Sequence, residues 1–141
     1  NGEAFSKLVK GLADFYRGRV DLVAGLESRG FLIAAPVAVE LGLGTLMIRK
    51  AGKLPGPVIG IDYGLEYGKS RMELQPDSIE PGARVLVLDD VLATGGTVNA
   101  SAALIKRAGG KVESVCVLME LSELDGRSTL GDLPCEALTM I

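Results

Sequence analysis

The 141 residues include no histidine and no tryptophan. Without imidazole the chain has no Ser-His-Asp or Cys-His nucleophile, no histidine-ligated zinc and no imidazole acid or base. Its aromatic residues are three Tyr and three Phe, too few for a stacking platform along single-stranded nucleic acid. Lys+Arg number 15 against 18 Asp+Glu, a net charge of −3, so the bulk positive charge that grips a phosphate backbone is missing. No nucleic-acid partner is expected. The longest apolar run, Phe31 to Val39, is half of the ~18–20 residues a membrane span needs. No charged stretch followed by an apolar one opens the chain, and no membrane partner is expected. There are only two cysteines, Cys116 and Cys135, and no CxxC. That is too few for a disulfide framework and fits a reducing, cytoplasmic compartment.

Glycine, by contrast, is abundant. Its 19 copies are about 13% of the chain, roughly double the average usage of ~7%, so backbone turns tightly or approaches something closely at several places. The length fits one domain. Apolar residues Phe5, Leu8, Val9, Leu12 and Phe15 fall on one helical stripe over 5–16. Val20–Leu26 reads as a buried strand, and Phe31–Leu41 as a helix stopped by Gly42, with Pro36 inside it. Thr45–Ile48 is the next strand, delivering Arg49 and Lys50. Residues 51–69, broken by five glycines and two prolines, form a long loop or hairpin of the kind that is usually functional. Pro76–Pro81 is a turn. Strand Arg84–Leu88, helix Thr97–Ala108, strand Val112–Leu121 and a last strand at Ala137–Ile141 complete the order. Strands alternating with helices predict an α/β fold: a mostly parallel sheet with helices on both faces.

The chemistry concentrates after the strand Arg84–Leu88. Asp89 and Asp90 stand at its tip, and Ala93-Thr94-Gly95-Gly96-Thr97 leads into the next helix. In open parallel sheets ligands sit beyond the carboxyl ends of the strands. Glycines at 95 and 96 permit close backbone approach. A helix starting near Thr97 aims unpaired N–H groups at the loop, which favours a phosphate. The threonine hydroxyls add donors, and the two carboxylates suit ribose hydroxyls or a Mg²⁺ held through water. A plain strand-turn-helix link, with the aspartates capping the helix, is the simpler alternative. Two acids, two threonines and two glycines beside a fully apolar strand favour the phosphate. No Gly-Lys-[Ser/Thr] follows and there is no GxGxxG, so neither nucleotide motif accounts for the loop.

The run Val85-Leu-Val-Leu-Asp-Asp-Val-Leu-Ala-Thr-Gly-Gly-Thr97 resembles the signature of the type I phosphoribosyltransferases, which bind phosphoribosyl pyrophosphate (PRPP). Three further segments narrow the resemblance to the adenine phosphoribosyltransferases: Leu26-Glu-Ser-Arg-Gly-Phe31, Arg49-Lys50-Ala-Gly-Lys-Leu-Pro-Gly56 and Tyr63-Gly-Leu-Glu-Tyr-Gly68. The resemblance spans nearly the whole chain and weakens after about Ser122. It implies the type I phosphoribosyltransferase fold with a flexible loop or hairpin hood, here residues 51–73. By position it assigns the 5′-phosphate to Ala93, Thr94, Gly95, Gly96 and Thr97, and the ribose hydroxyls to Asp89 and Asp90. Pyrophosphate falls to Ser28, Arg29, Arg49, Lys50 and Lys53. Glu66 becomes the acid–base residue on the closing hood.

The resemblance also implies a cis peptide at Ser28–Arg29, Mg²⁺ bound through PRPP and water with no direct protein ligand, and a homodimer. PRPP, adenine, AMP and pyrophosphate are the expected small-molecule partners. A stretch that builds part of the family's base pocket precedes the position of Asn1, so residues 1–141 are read as one domain lacking an N-terminal segment. The alternatives are a 6-oxopurine phosphoribosyltransferase and a non-catalytic PRPP sensor of the same fold. Complete hood motifs favour catalysis, because a sensor has no need to exclude water.

Overall fold

Side-chain alternation along strands decides which helix covers which face. In the central strand β5 (Arg84–Leu92), Val85 and Val87 are buried in one core, and Leu86 and Leu88 in the other. The computed structural model of the chain describes residues 1–64 and 70–141. Within them the elements run α1 (Gly2–Tyr16), β1 (Leu22–Leu26), α2 (Gly30–Leu41), β2 (Gly44–Lys50), β3 (Ile59–Tyr63), β4 (Ser70–Leu74), β5, α3 (Gly96–Arg107), β6 (Lys111–Glu120), a 3₁₀ turn (Ser122–Leu124), α4 (Gly126–Thr129) and β7 (Cys135–Met140).

One core joins Val9, Leu12 and Tyr16 of α1 and Ile33 and Val37 of α2 to Val23, Leu86, Leu88 and Cys116 of the sheet. On the opposite face Val98, Leu104 and Ile105 of α3 pack on Ala24, Leu26, Val85, Val87, Val115 and Val117. The seven strands lie in the order β3-β4-β2-β1-β5-β6-β7. From β2 to β7 the pairs are parallel, whereas β4 is antiparallel to both β2 and β3. The chain moves from β1 outward to β2 and later from β5 outward to β6 and β7. The switch in direction lies between β1 and β5, and it places a cleft beyond their carboxyl ends.

Several boundaries differ from the sequence-based expectations. β1 begins at Leu22 rather than Val20, since the carboxylate of Asp21 accepts bonds from the backbone N–H (2.8 Å) and guanidinium of Arg84. β5 continues to Leu92 because its ladder with β6 reaches Asp89↔Val117 and Leu92↔Glu120. The two aspartates therefore belong to the strand's last residues instead of following it. α2 runs through Pro36 without breaking. The segment expected as a loop or hairpin supplies the antiparallel pair β3–β4, which extends the sheet. The cis peptide is Glu27–Ser28, one bond earlier than expected.

Candidate active site

Three chain segments converge at the switch point. The first leaves β1 at Glu27, Ser28 and Arg29 and turns at once into α2. Gly30 allows that turn: a Cβ there would lie 2.7 Å from the carbonyl oxygen of Leu88, so α2 starts against the end of β5. The second is the end of β5 with Asp89, Asp90 and Val91. The third is the bend Ala93–Gly95, which opens α3; Gly95 has φ 84°, the left-handed region that favours glycine.

Two clefts meet here. One, of about 350 Å³, is lined by Ser28, Arg29, Lys50, Asp89 and Asp90 among others. The other, of about 170 Å³, is lined by Ala93, Thr94, Gly95, Gly96 and Thr97 and the residues beside them. Glu27, Lys50, Asp89, Val91 and Ala93 face both, so the two form one elongated depression. The first part adds Ser28, Arg29 and Asp90 to these shared residues, and the second adds the glycine- and threonine-rich bend that opens α3.

Electrostatics separate the two carboxylates. Burial pushes the Asp89 carboxyl up, to about 7, against the opposing effect of the Asp90 backbone N–H, which donates to Asp89 Oδ1 at 2.8 Å. Burial also raises Asp90, but the Arg29 guanidinium, whose Nε donates to Asp90 Oδ2, together with the Asp89 side chain outweighs it and holds that carboxyl below its ordinary value. A neutral acid beside an ionised one is the arrangement that environment imposes on paired carboxylates.

Most of the residues singled out in the sequence are brought together: Ser28, Arg29, Lys50, Asp89, Asp90 and Ala93–Thr97 all line the depression. Arg49 and Lys53 line neither part. Arg49 Nε donates to Glu27 Oε1 at 2.9 Å, its guanidinium lies 5.7 Å from the centre of the Phe31 ring, and Nη1 donates to the Lys53 carbonyl. Arg49 thus fastens the β1 and β2 ends to each other. Arg29 pairs with Asp90, and Glu27 with Arg49. Glu66 lies outside the described residues.

The sequence reading overlooked four contributors. Glu27 and Val91 line both parts of the depression; Glu27 sat in the quoted ESRGF segment, and Val91 between the aspartates and the glycines. Tyr63, which the motif names without a role, has its hydroxyl 3.0 Å from Thr97 Oγ1, which ties the hairpin stem to the first turn of α3. Arg107, from the last turn of α3, donates to the Gly60 carbonyl at 2.7 Å and fixes the same stem a second time.

Residues 1–131 match the family model described as the phosphoribosyl transferase domain. The adenine phosphoribosyltransferase of Chloroflexus aurantiacus is 48% identical over 139 residues, covering 98% of this chain and 80% of that protein. The human adenine phosphoribosyltransferase is 50% identical over 131 residues, covering 93% of this chain and 73% of that protein. The crystal structure of adenine phosphoribosyltransferase from Thermoanaerobacter pseudethanolicus superimposes with a TM-score of 0.94 at 42% identity, covering 100% of this chain and 83% of that one. The enzyme from Trypanosoma brucei, in complex with AMP, pyrophosphate and ribose-5-phosphate, gives a TM-score of 0.90 at 30% identity, with 99% and 65% covered. With that identity over nearly its whole length and the same fold around the switch-point cleft, the chain belongs to the phosphoribosyltransferase family, among the adenine phosphoribosyltransferases.

Proposed function

We propose that the elongated depression transfers the 5-phosphoribosyl group of PRPP to adenine, giving AMP and pyrophosphate in purine salvage. The observation that carries this is the adjacency of two unlike clefts: a backbone cradle at the start of α3 and a charged cleft with paired carboxylates and an arginine. PRPP presents its groups in the same order, with a terminal phosphate, a diol and a pyrophosphate. The N–H groups and hydroxyls of Ala93–Thr97 receive the 5′-phosphate. Asp89 and Asp90 accept hydrogen bonds from the ribose hydroxyls, and Ser28, Arg29 and Lys50 receive the pyrophosphate.

Adenine N9 attacks C1′ opposite the leaving group. The C1′–N9 bond forms as the C1′–O bond breaks, with inversion, and the electron pair departs on pyrophosphate. Glu66 takes the N9 proton, and closure of the 51–73 hairpin keeps water from the activated sugar. The oxygen-only donors of Asp89 and Asp90 fit a hard cation held through water, and Mg²⁺ bound there with PRPP supplies charge neutralisation to the pyrophosphate.

Arg49 and Lys53 stand outside this chain's own cleft, so their part in binding pyrophosphate is proposed across a homodimer. Support for self-association comes from apolar residues of α2 and β2 that remain exposed, Leu32 (70%), Val39 (79%) and Met47 (46%). The cytoplasm is the proposed compartment, in keeping with two free cysteines. The deciding experiment supplies PRPP, Mg²⁺ and a panel of purine bases and analyses the products. AMP with stoichiometric pyrophosphate from adenine, and little nucleotide from 6-oxopurines, is expected. Binding of PRPP with no nucleotide formed from any base would overturn the proposal.

A further inference from the structure

We infer that Gly126 and Arg127 are positioning residues for the 5′-phosphate loop, acting from behind it through backbone contact; this rests on the assignment of Ala93–Thr97 as the phosphate cradle. Neither residue lines the depression, and both fall after Ser122, where motif resemblance had faded. Gly126 is buried at the start of α4. A Cβ on Gly126 would overlap the carbonyl oxygen of Ala93, and one on Gly95 would lie 2.5 Å from the carbonyl oxygen of Gly126 and 3.0 Å from Thr129 Cβ. The two backbones thus touch in both directions. With its rear face filled by α4, the bend is held to one backbone path.

Arg127 holds α4 in that place. Its Nε lies 3.1 and 3.2 Å from the two carboxylate oxygens of Glu120, Nη2 donates to Glu120 Oε2 at 2.5 Å, and Nη1 donates to the Cys135 carbonyl at 2.6 Å. Glu120 is only 4% exposed, and the guanidinium depresses its pKa despite burial. It sits opposite Leu92 in the β5–β6 ladder, and the Leu121 N–H donates to the Leu92 carbonyl at 2.9 Å. One arginine therefore locks α4 to the ends of β6 and β7, beside the residue from which the phosphate loop departs. A fork of this kind is geometric as well as electrostatic, and lysine does not reproduce it.

The test measures ribose 5-phosphate and inorganic pyrophosphate binding separately, by calorimetry, on full-length protein. Gly126→Ala, which must displace the loop by about 1 Å, is expected to weaken ribose 5-phosphate about 100-fold. The double variant Glu120→Gln/Arg127→Gln leaves no unpaired buried charge and is expected to weaken it about tenfold, in line with loss of charged hydrogen bonds. Pyrophosphate affinity and the KM for adenine should move less than about twofold. Arg127→Lys should fall between the double variant and the unaltered protein. A merely structural role would lower the folded fraction and kcat and leave the affinities of the folded molecules intact. Folded variants that bind ribose 5-phosphate normally, or that lose pyrophosphate equally, would overturn the inference. If the unaltered protein bound PRPP but not ribose 5-phosphate, the cradle assignment would fail first and this inference with it.

Discussion

The two ends of the depression are made of different material. The α3 end is built around a bend short of side chains: a glycine at φ 84°, a second glycine, and the first turn of a helix packed from behind by α4. At the β1 end it is side chain, and there the charged groups are engaged with one another, Arg29 with Asp90 and Arg49 with Glu27. Backbone amides held by packing need no rearrangement when an anion arrives. Charged side chains in mutual pairs share their partners with a ligand: Arg29 meets Asp90 through Nε, and a pyrophosphate competes with that carboxylate for the guanidinium's charge. Affinity at one end is thus set by geometry fixed on folding. At the other it is the difference between two ion pairs, one of them largely exposed and weak.

Substitutions can break or sharpen this contrast. The largest effect is expected between the ends: Glu66→Gln should lower kcat by about 10²–10⁴-fold, the usual worth of acid–base assistance, with PRPP affinity unchanged in a binding assay. Near-normal turnover in that variant would remove Glu66 from the reaction. Gly95→Ala strikes the backbone end, forcing a Cβ to 2.5 Å from the Gly126 carbonyl oxygen at a left-handed φ. Ribose 5-phosphate should then bind about 100-fold more weakly, while pyrophosphate binds as before. Arg29→Gln strikes the side-chain end, and about a tenfold loss of pyrophosphate affinity is expected with ribose 5-phosphate unaltered. If either variant weakened both ligands alike, the ends would not be independent.

The smallest effect concerns stability. Burial raises the folded Asp89 carboxyl from 3.8 to about 7, so the folded chain holds a proton that the unfolded chain releases. Its contribution is fully present below about pH 3.8 and is lost as pH rises toward 7. Asp89→Asn should therefore raise Tm by several degrees at pH 8 and by much less at pH 5, as followed by circular dichroism. An equal shift at both pH values would show that Asp89 ionises normally.

How much of this was legible in the sequence varies with the range of the interactions. The β5–α3 connection was legible because its signals are local: an apolar run, two acids, two glycines and a helical stripe follow one another directly. Segment 122–130 was opaque, since Gly126 matters through contact with Ala93 and Gly95, some thirty residues away in sequence. Lys50 belonged to the cleft as expected while its neighbour Arg49 did not. Adjacent strand residues face opposite ways, and which of two basic neighbours faces a ligand depends on register that composition does not reveal. The end of β5 was placed too early because its ladder with β6 continues beneath the polar Asp89 and Asp90. β3, inside the glycine-rich stretch read as a loop or hairpin, is a strand because its pairing with β4 outweighs poor strand propensity.

The antiparallel stem of the hairpin carries a consequence for diversification. β3 and β4 are sheet neighbours, and the stem is riveted to α3 at Gly60 and Tyr63. Chain exchanged between Tyr63 and Ser70 would begin and end on the same two fixed posts, leaving the order of the parallel strands undisturbed. The connection can thus vary in sequence without touching the described residues that line the depression.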